Sequence, residues 1–223
     1  MNGAQHPEQA LALSYAPVDL RAGVEALFTL DETLGQILRT TREPMVGQMR
    51  LTWWHEALTA FDTAPPPAQP VLRALAAEVV ARGVSGADLA GMIDGWEVLL
   101  EPDPLDAAML DLYAAQRGGR LFVLAGRILG AGPRDPLDRA GAGWALADLA
   151  RHSRDAGAAA LPRELAGAAL HDAMRVRWSG SVRSLGAMTL SARMDLATPA
   201  GAAAPTTSPA RVARLAWHRL SGR

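Results

Sequence analysis

"REPMVGQMRLTWWHEAL", residues 42–58, sets two tryptophans side by side in a stretch that also carries two methionines and two arginines. On a helix, Trp53 and Trp54 point about 100° apart, so one face cannot bury both. Met45, Met49, Trp53 and Ala57 form one row, and Leu51, Trp54, Leu58 and Phe61 form a second. Gln48, Thr52, His55, Glu56 and Thr59 make the polar side. Two apolar rows predict a helix buried over much of its circumference, central to an α-helical core. Arg50 lies beside both tryptophans and needs a carboxylate partner or an anionic ligand there.

Outward from this stretch, the punctuation is helical throughout. A proline in the first helical turn after a small polar residue is a start signal. Asp103-Pro104, Asp135-Pro136 and Ser208-Pro209 fit it, Ala16-Pro17 fits it more loosely, and Ser85 is a ready N-cap. Helices are expected at 7–14, 17–39, 44–62, 69–82, 86–101, 104–130, 136–153, 162–178, 181–195 and 209–221. No segment alternates with period two, so the fold class is all-α. Residues 1–196 read as one helical domain. The run "ATPAGAAAPTTSP" makes 197–208 a flexible linker, and 209–223 a basic amphipathic C-terminal helix.

Composition removes several chemistries. The 223 residues contain no cysteine, which excludes disulfides, thiolate metal sites and thiol catalysis. All 22 basic residues are arginine, which excludes Schiff-base chemistry and a P-loop lysine. The N-terminus lacks a basic segment followed by an apolar core, and no apolar run nears the roughly 18 residues of a membrane span. The expectation is a cytoplasmic protein. Net charge is −1 but unevenly spread: residues 1–110 carry 6 Arg against 15 acids, and residues 151–223 carry 11 Arg against 4 acids. Either the basic end meets an anionic partner, such as a membrane surface or a phosphate, or the two ends pair with each other. Dispersed arginines and few aromatics argue against nucleic acid.

Three stretches resemble one family in order along the chain. "YAPVDLRAGVEALFTLDETLGQILRTTREPMVGQMRLTWWHEAL" (15–58) is similar to the N-terminal part of squalene/phytoene synthases. "QPVLRALAAEVVARGVSGADLAGMIDGWEVLLEPDP" (69–104) matches their next helical pair, and "LYAAQRGGRLFVLAGRILG" (112–130) the long helix after it. The resemblance covers about residues 10–165. It implies an all-α isoprenoid-synthase-like bundle with a deep central cavity, here truncated on its C-terminal side. In active members two acidic motifs face each other across that cavity and hold Mg²⁺ ions, which clamp the prenyl diphosphate. A departing diphosphate is highly charged, so several carboxylates must hold the neutralising metals.

Both motifs are thin here. The first reduces to Asp31 and Glu32, with Gly35 where a third carboxylate belongs. The second falls near "ALADLARHSRDAGAAALP" (145–162), where Asp148 and Asp155 stand seven apart. The resemblance is therefore closest to a degenerate branch that includes the phytoene-synthase-like assembly factors of respiratory complex I. It implies a binding or assembly-type protein, not an efficient catalyst, with an isoprenoid or a protein partner. The alternative is a Mg²⁺-dependent head-to-head prenyltransferase acting on prenyl diphosphates. Asp31, Glu32, Asp148 and Asp155 would then be its catalytic candidates, with Asp31 and Glu32 on the metal. Arg50, Trp53, Trp54, Arg117 and Arg120 are the substrate-binding candidates in either case.

Other groupings carry two readings each. Asp94, Glu97 and Glu101 share a helix face, as metal ligands or as the solvated side opposite Met92, Trp96 and Leu99. In "QRGGRLF" (116–122), Gly118 and Gly119 either admit an anion beside Arg117 and Arg120 or allow close helix packing or a kink. Asp148 and His152 are an acid/base pair or an exposed helix pair. The C-terminal helix, with Val212, Leu215, Ala216 and Leu220 on one side and arginines around the rest, suits peripheral membrane contact or docking on the acidic N-terminal half.

Overall fold

Helix starts follow the punctuation. Pro209 opens a helix at its first turn, where a missing N–H removes no intrahelical bond, and Pro17 and Pro136 stand immediately before the helices that begin at Val18 and Leu137. Ser85 accepts the Asp88 N–H, and Ser208 accepts that of Arg211. The computed structural model describes residues 7–41, 43–101, 104–153, 155–198 and 208–223. Among these, all regular elements are helical. They are α1 (Pro7–Leu13), α2 (Val18–Thr40), α3 (Pro44–Thr59), α4 (Pro70–Glu78), α5 (Gly86–Ala90) and α6 (Met92–Glu97), then α7 (Ala107–Tyr113), α8 (Arg120–Leu129), α9 (Leu137–His152), α10 (Ala156–Ala173), α11 (Arg183–Leu196) and α12 (Pro209–Ser221). A π-helical stretch, Ala114–Gly119, joins α7 to α8.

Two helix starts differ from expectation by three residues or more. The helix expected from 104 starts at Ala107, where the Asp106 carboxylate accepts the Met109 N–H; Asp103 lies outside the described residues. The helix expected from 162 starts at Ala156, capped by Asp155. Pro162 sits inside it, so proline was a poor guide there. Most of the expected linker, 199–207, also lies outside the described residues.

The central element is α9, which packs against α8, α10, α11 and the π-helical stretch. Its sequence explains why. Ala140, Gly141, Gly143, Ala145, Ala147 and Ala150 are buried, and their small side chains let neighbouring backbones approach. At Gly118, an added Cβ would lie 2.0 Å from the Gly141 carbonyl oxygen. Of the two readings of Gly118-Gly119, the geometry is that of close packing. The main core is built from Leu27, Leu30 and Leu34 of α2, Leu72 and Leu75 of α4, and Leu121 and Phe122 of α8, all fully buried. Each buried side chain of this size contributes about 1.5–3 kcal/mol.

The helix α3 is not the central one its two rows predict. Gly47, Leu51, Trp54, Ala57 and Leu58 face the core. Met45, Met49 and Trp53 are exposed, at 76%, 67% and 46%. The row of Leu51, Trp54 and Leu58 is covered; of the other row only Ala57 is, and Met45, Met49 and Trp53 are not.

The C-terminal helix docks on the domain. Leu215 and His218 are buried against α11. Arg211 donates from Nε and Nη2 to the Glu8 carboxylate, both at 2.6 Å, and from Nη2 to Asp195 Oδ1 at 2.6 Å. The Trp178 N–H donates to the Gly222 carbonyl at 2.9 Å. Arg183 donates to the carbonyls of Arg219 and, at 2.7 Å, Leu220. The acidic N-terminus and basic C-terminus thus meet at Glu8 and Arg211. No helix among the described residues is long and apolar enough to cross a membrane.

Candidate functional site

Asp31 on α2 and Asp148 on α9 are two of the four carboxylates expected at the site, and the fold brings them to one place. Between them stands Arg117, from the π-helical stretch. Its Nε donates to Asp31 Oδ1 and its Nη2 to Asp31 Oδ2, both at 2.9 Å, a two-pronged pairing of planar groups. Nη2 also pairs with Asp148 Oδ2 at 2.9 Å. Nη1 donates to the Tyr113 hydroxyl. Trp96 Nε1 donates to Asp31 Oδ1 at 3.2 Å. Arg117 and Asp31 are each 3% exposed, so these bonds are made out of water.

Aromatic rings surround the guanidinium. Its carbon lies 4.0 Å from the Trp96 ring centroid, 5.0 Å from Trp144 and 5.6 Å from Tyr113. Trp144 in turn packs on Phe28 and Phe122, with centroids 5.7 and 5.8 Å away. Cation, carboxylates and rings together fill the space between α2, α6 and α9.

Charge follows geometry. Burial opposes the Arg117 charge, but Asp31, Tyr113 and Asp148 hold its pKa well above the usual guanidinium value. Burial would raise the Asp148 carboxyl; Arg117, the His152 hydrogen bond and Arg151 outweigh it and keep it well below the usual carboxylate range. Burial pushes the Tyr113 phenol up. The His152 imidazole is raised, first by its hydrogen bond to Asp148. The pairing continues outward from Asp148 to Arg151 at 2.8 Å, then across a longer 3.9 Å gap to Asp195, which binds Arg211 of α12. Alternating charges therefore run from the centre to the C-terminal helix.

The other expected site residues stand apart from this cluster. Glu32 is exposed and pairs with Arg39 at 2.5 Å. Asp155 is exposed and spends its carboxylate on the Gly157 N–H at 2.9 Å. Arg50 is exposed and donates to Thr41 Oγ1 at 2.9 Å. Arg120 binds Gln116 and packs under Gly91. Trp54 is buried and meets exposed Trp53 edge to face. Asp94 is exposed while Met92 and Trp96 are buried, the arrangement of a solvated face.

A Mg²⁺–diphosphate does not fit the residues as they are arranged. Mg²⁺ needs oxygen ligands at about 2.0–2.1 Å in a near-octahedral shell. Here a guanidinium separates Asp31 from Asp148. At position 35, even a Cβ would lie 2.8 Å from the Trp96 ring and 2.9 Å from Arg39, so a carboxylate there has no room. Among the described residues no group of three His, Asp or Glu is placed to hold a metal ion.

Sequence reasoning missed Tyr113, Trp96 and Trp144. Tyr113 and Arg117 are four apart, which was a usable signal for a shared helix face. Nothing local joined Trp96 or Trp144 to Asp31.

A comparison with curated proteins gives no match. The family model described as squalene/phytoene synthase matches residues 4–219. That match runs past the stretches that carried the resemblance and takes in most of α12. The chain belongs to the squalene/phytoene synthase family.

Proposed function

We propose that this family member works by binding rather than by prenyl transfer, as an assembly-type protein. One observation carries the reading: Arg117 lies between Asp31 and Asp148, with one nitrogen within 2.9 Å of each carboxylate. A fixed internal cation neutralises the pair that metal ions would otherwise bridge. Opening that site would strip a buried charge of its partners, which costs roughly 3–5 kcal/mol before any ligand enters.

The test is a product assay with farnesyl or geranylgeranyl diphosphate and Mg²⁺, on the wild type and on Asp31→Asn. The expected result is no coupled isoprenoid from either protein, with Asp31→Asn changing thermal stability alone. Turnover by the wild type that Asp31→Asn abolishes would establish the Mg²⁺-dependent prenyltransferase instead, with Asp31 as a metal ligand.

A further inference from the structure

The uncovered row of α3 belongs to a larger feature. Of the nine large apolar side chains exposed among the described residues, five lie on two helices: Met45, Val46, Met49 and Trp53 on α3, and Leu112 on α7. A groove of about 760 Å³ lies between Met45 of α3 and Met109 and Leu112 of α7, with Val98 and Leu100 also lining it; Met49 and Trp53 continue the exposed stripe along α3 beyond that lining. An adjoining cleft of about 260 Å³ extends it past Leu38 and Leu99. Met45, Met49 and Trp53 recur every four residues, so the stripe runs for about 12 Å along α3.

Among the described residues, the charged side chains that line the groove and the cleft are all acidic. Asp94, Glu97 and Glu101 line the groove and Glu43 lines the cleft. Glu56 is exposed one turn beyond Trp53, and Asp111 beside Leu112. Among the described residues none of these six carboxylates is in an ion pair; Glu97 accepts only the Gln48 amide, at 2.7 Å. Arg50 of α3 lines neither the groove nor the cleft itself, but donates to Thr41 at the cleft's end.

We propose that this groove is a docking site for a basic amphipathic helix of another protein. Helix-in-groove recognition uses apolar anchors spaced three or four residues apart, which a straight apolar trough accepts. Methionines suit such a surface because their flexible thioethers adapt to the anchor. Unpaired carboxylates on the rim select arginine or lysine on the flanks of that helix. The same carboxylates repel anionic lipid headgroups, which argues against a membrane as the occupant. This inference rests on the reading of the chain as a binding protein and gives that reading a surface.

The experiment uses the full chain and two synthetic helical peptides of about 18 residues with the same leucine positions, one with an arginine polar face and one with glutamate. Fluorescence anisotropy should show the arginine peptide binding and the glutamate peptide not. Binding should weaken several-fold between about 50 mM and about 500 mM salt. Met45→Ser/Met49→Ser, on exposed positions, should weaken it by ~10-fold or more while leaving the melting temperature unchanged. Equal binding of both peptides, or no binding of the arginine peptide at roughly 100 μM protein, would overturn the proposal. So would a dimer by sedimentation, or flotation with phosphatidylcholine vesicles, that the same double substitution abolishes. Failure here leaves the product assay untouched, and turnover in that assay would overturn the binding reading whatever the peptides do.

Discussion

Replacing Arg117 with methionine tests how the centre is held. The side chain is 3% exposed and binds two carboxylates and a phenol. Methionine keeps most of the volume and removes the charge. Asp31 and Asp148 would then face each other with no cation between them, and breaking a buried pair in this way costs roughly 3–5 kcal/mol. At about 2–4 °C per kcal/mol for a chain of this size, the melting temperature should fall on the order of 10 °C. The pH dependence supplies the sharper readout. In the wild type the Asp148 carboxyl is held below its ordinary value, so its stabilisation is present above the unfolded pKa and is lost as pH falls through the folded one. Without Arg117, two facing carboxylates raise one another, and the variant should regain stability as pH drops from about 7 to about 5. The assay is urea unfolding across that range for both proteins. A loss under about 1 kcal/mol, or parallel pH profiles, would refute the structural role given to Arg117. Arg117→Met combined with Asp31→Asn and Asp148→Asn should recover much of the loss, because no buried charge then lacks a partner.

Three further outcomes follow from other contacts. Gly118→Val should destabilise by about 3 kcal/mol or block folding, read by thermal melting, since even a Cβ would meet the Gly141 carbonyl oxygen at 2.0 Å. His218 is fully buried in α12 and its imidazole is pushed down to about 4, chiefly by burial, with the Arg183 charge adding to it. The unfolded chain takes up that proton first, so stability is full above about pH 6.5 and falls by up to about 3 kcal/mol toward pH 4; a His218→Leu variant should lack this slope in urea titrations. Arg211→Ala severs the contacts of α12 to Glu8 and Asp195, and amide exchange within Pro209–Ser221 should accelerate ~10-fold or more while α9 stays protected.

Much of this fold was legible because helix ends are written locally. Ser85 and Ser208-Pro209 act within one turn, so their signals survive without tertiary context. What α3 packs against was not legible. Periodicity marks Met45, Met49 and Trp53 as a row, but a row that meets a neighbour and a row that meets solvent have the same spacing. The same limit hid the central place of α9, whose core-facing residues are alanine and glycine with a single leucine, Leu146. At the site, Asp31 and Asp148 could be singled out from the chain, whereas the role of Arg117 could not. Its position on a helix says nothing about which side chains cross the core to meet it. The π-helical turn at Ala114–Gly119 is likewise set by the close approach of Gly118 to Gly141, a contact 23 positions apart in the chain.

Calorimetric titration of the wild-type protein with farnesyl diphosphate, with and without Mg²⁺, tests most directly whether Arg117 keeps Asp31 and Asp148 from binding a metal. With the guanidinium seated between Asp31 and Asp148, the two titrations should coincide, with no added heat or affinity from the metal. Tight binding that appears only with Mg²⁺ would mean that Arg117 leaves, that the carboxylates still assemble a metal site, and that the centre is not closed.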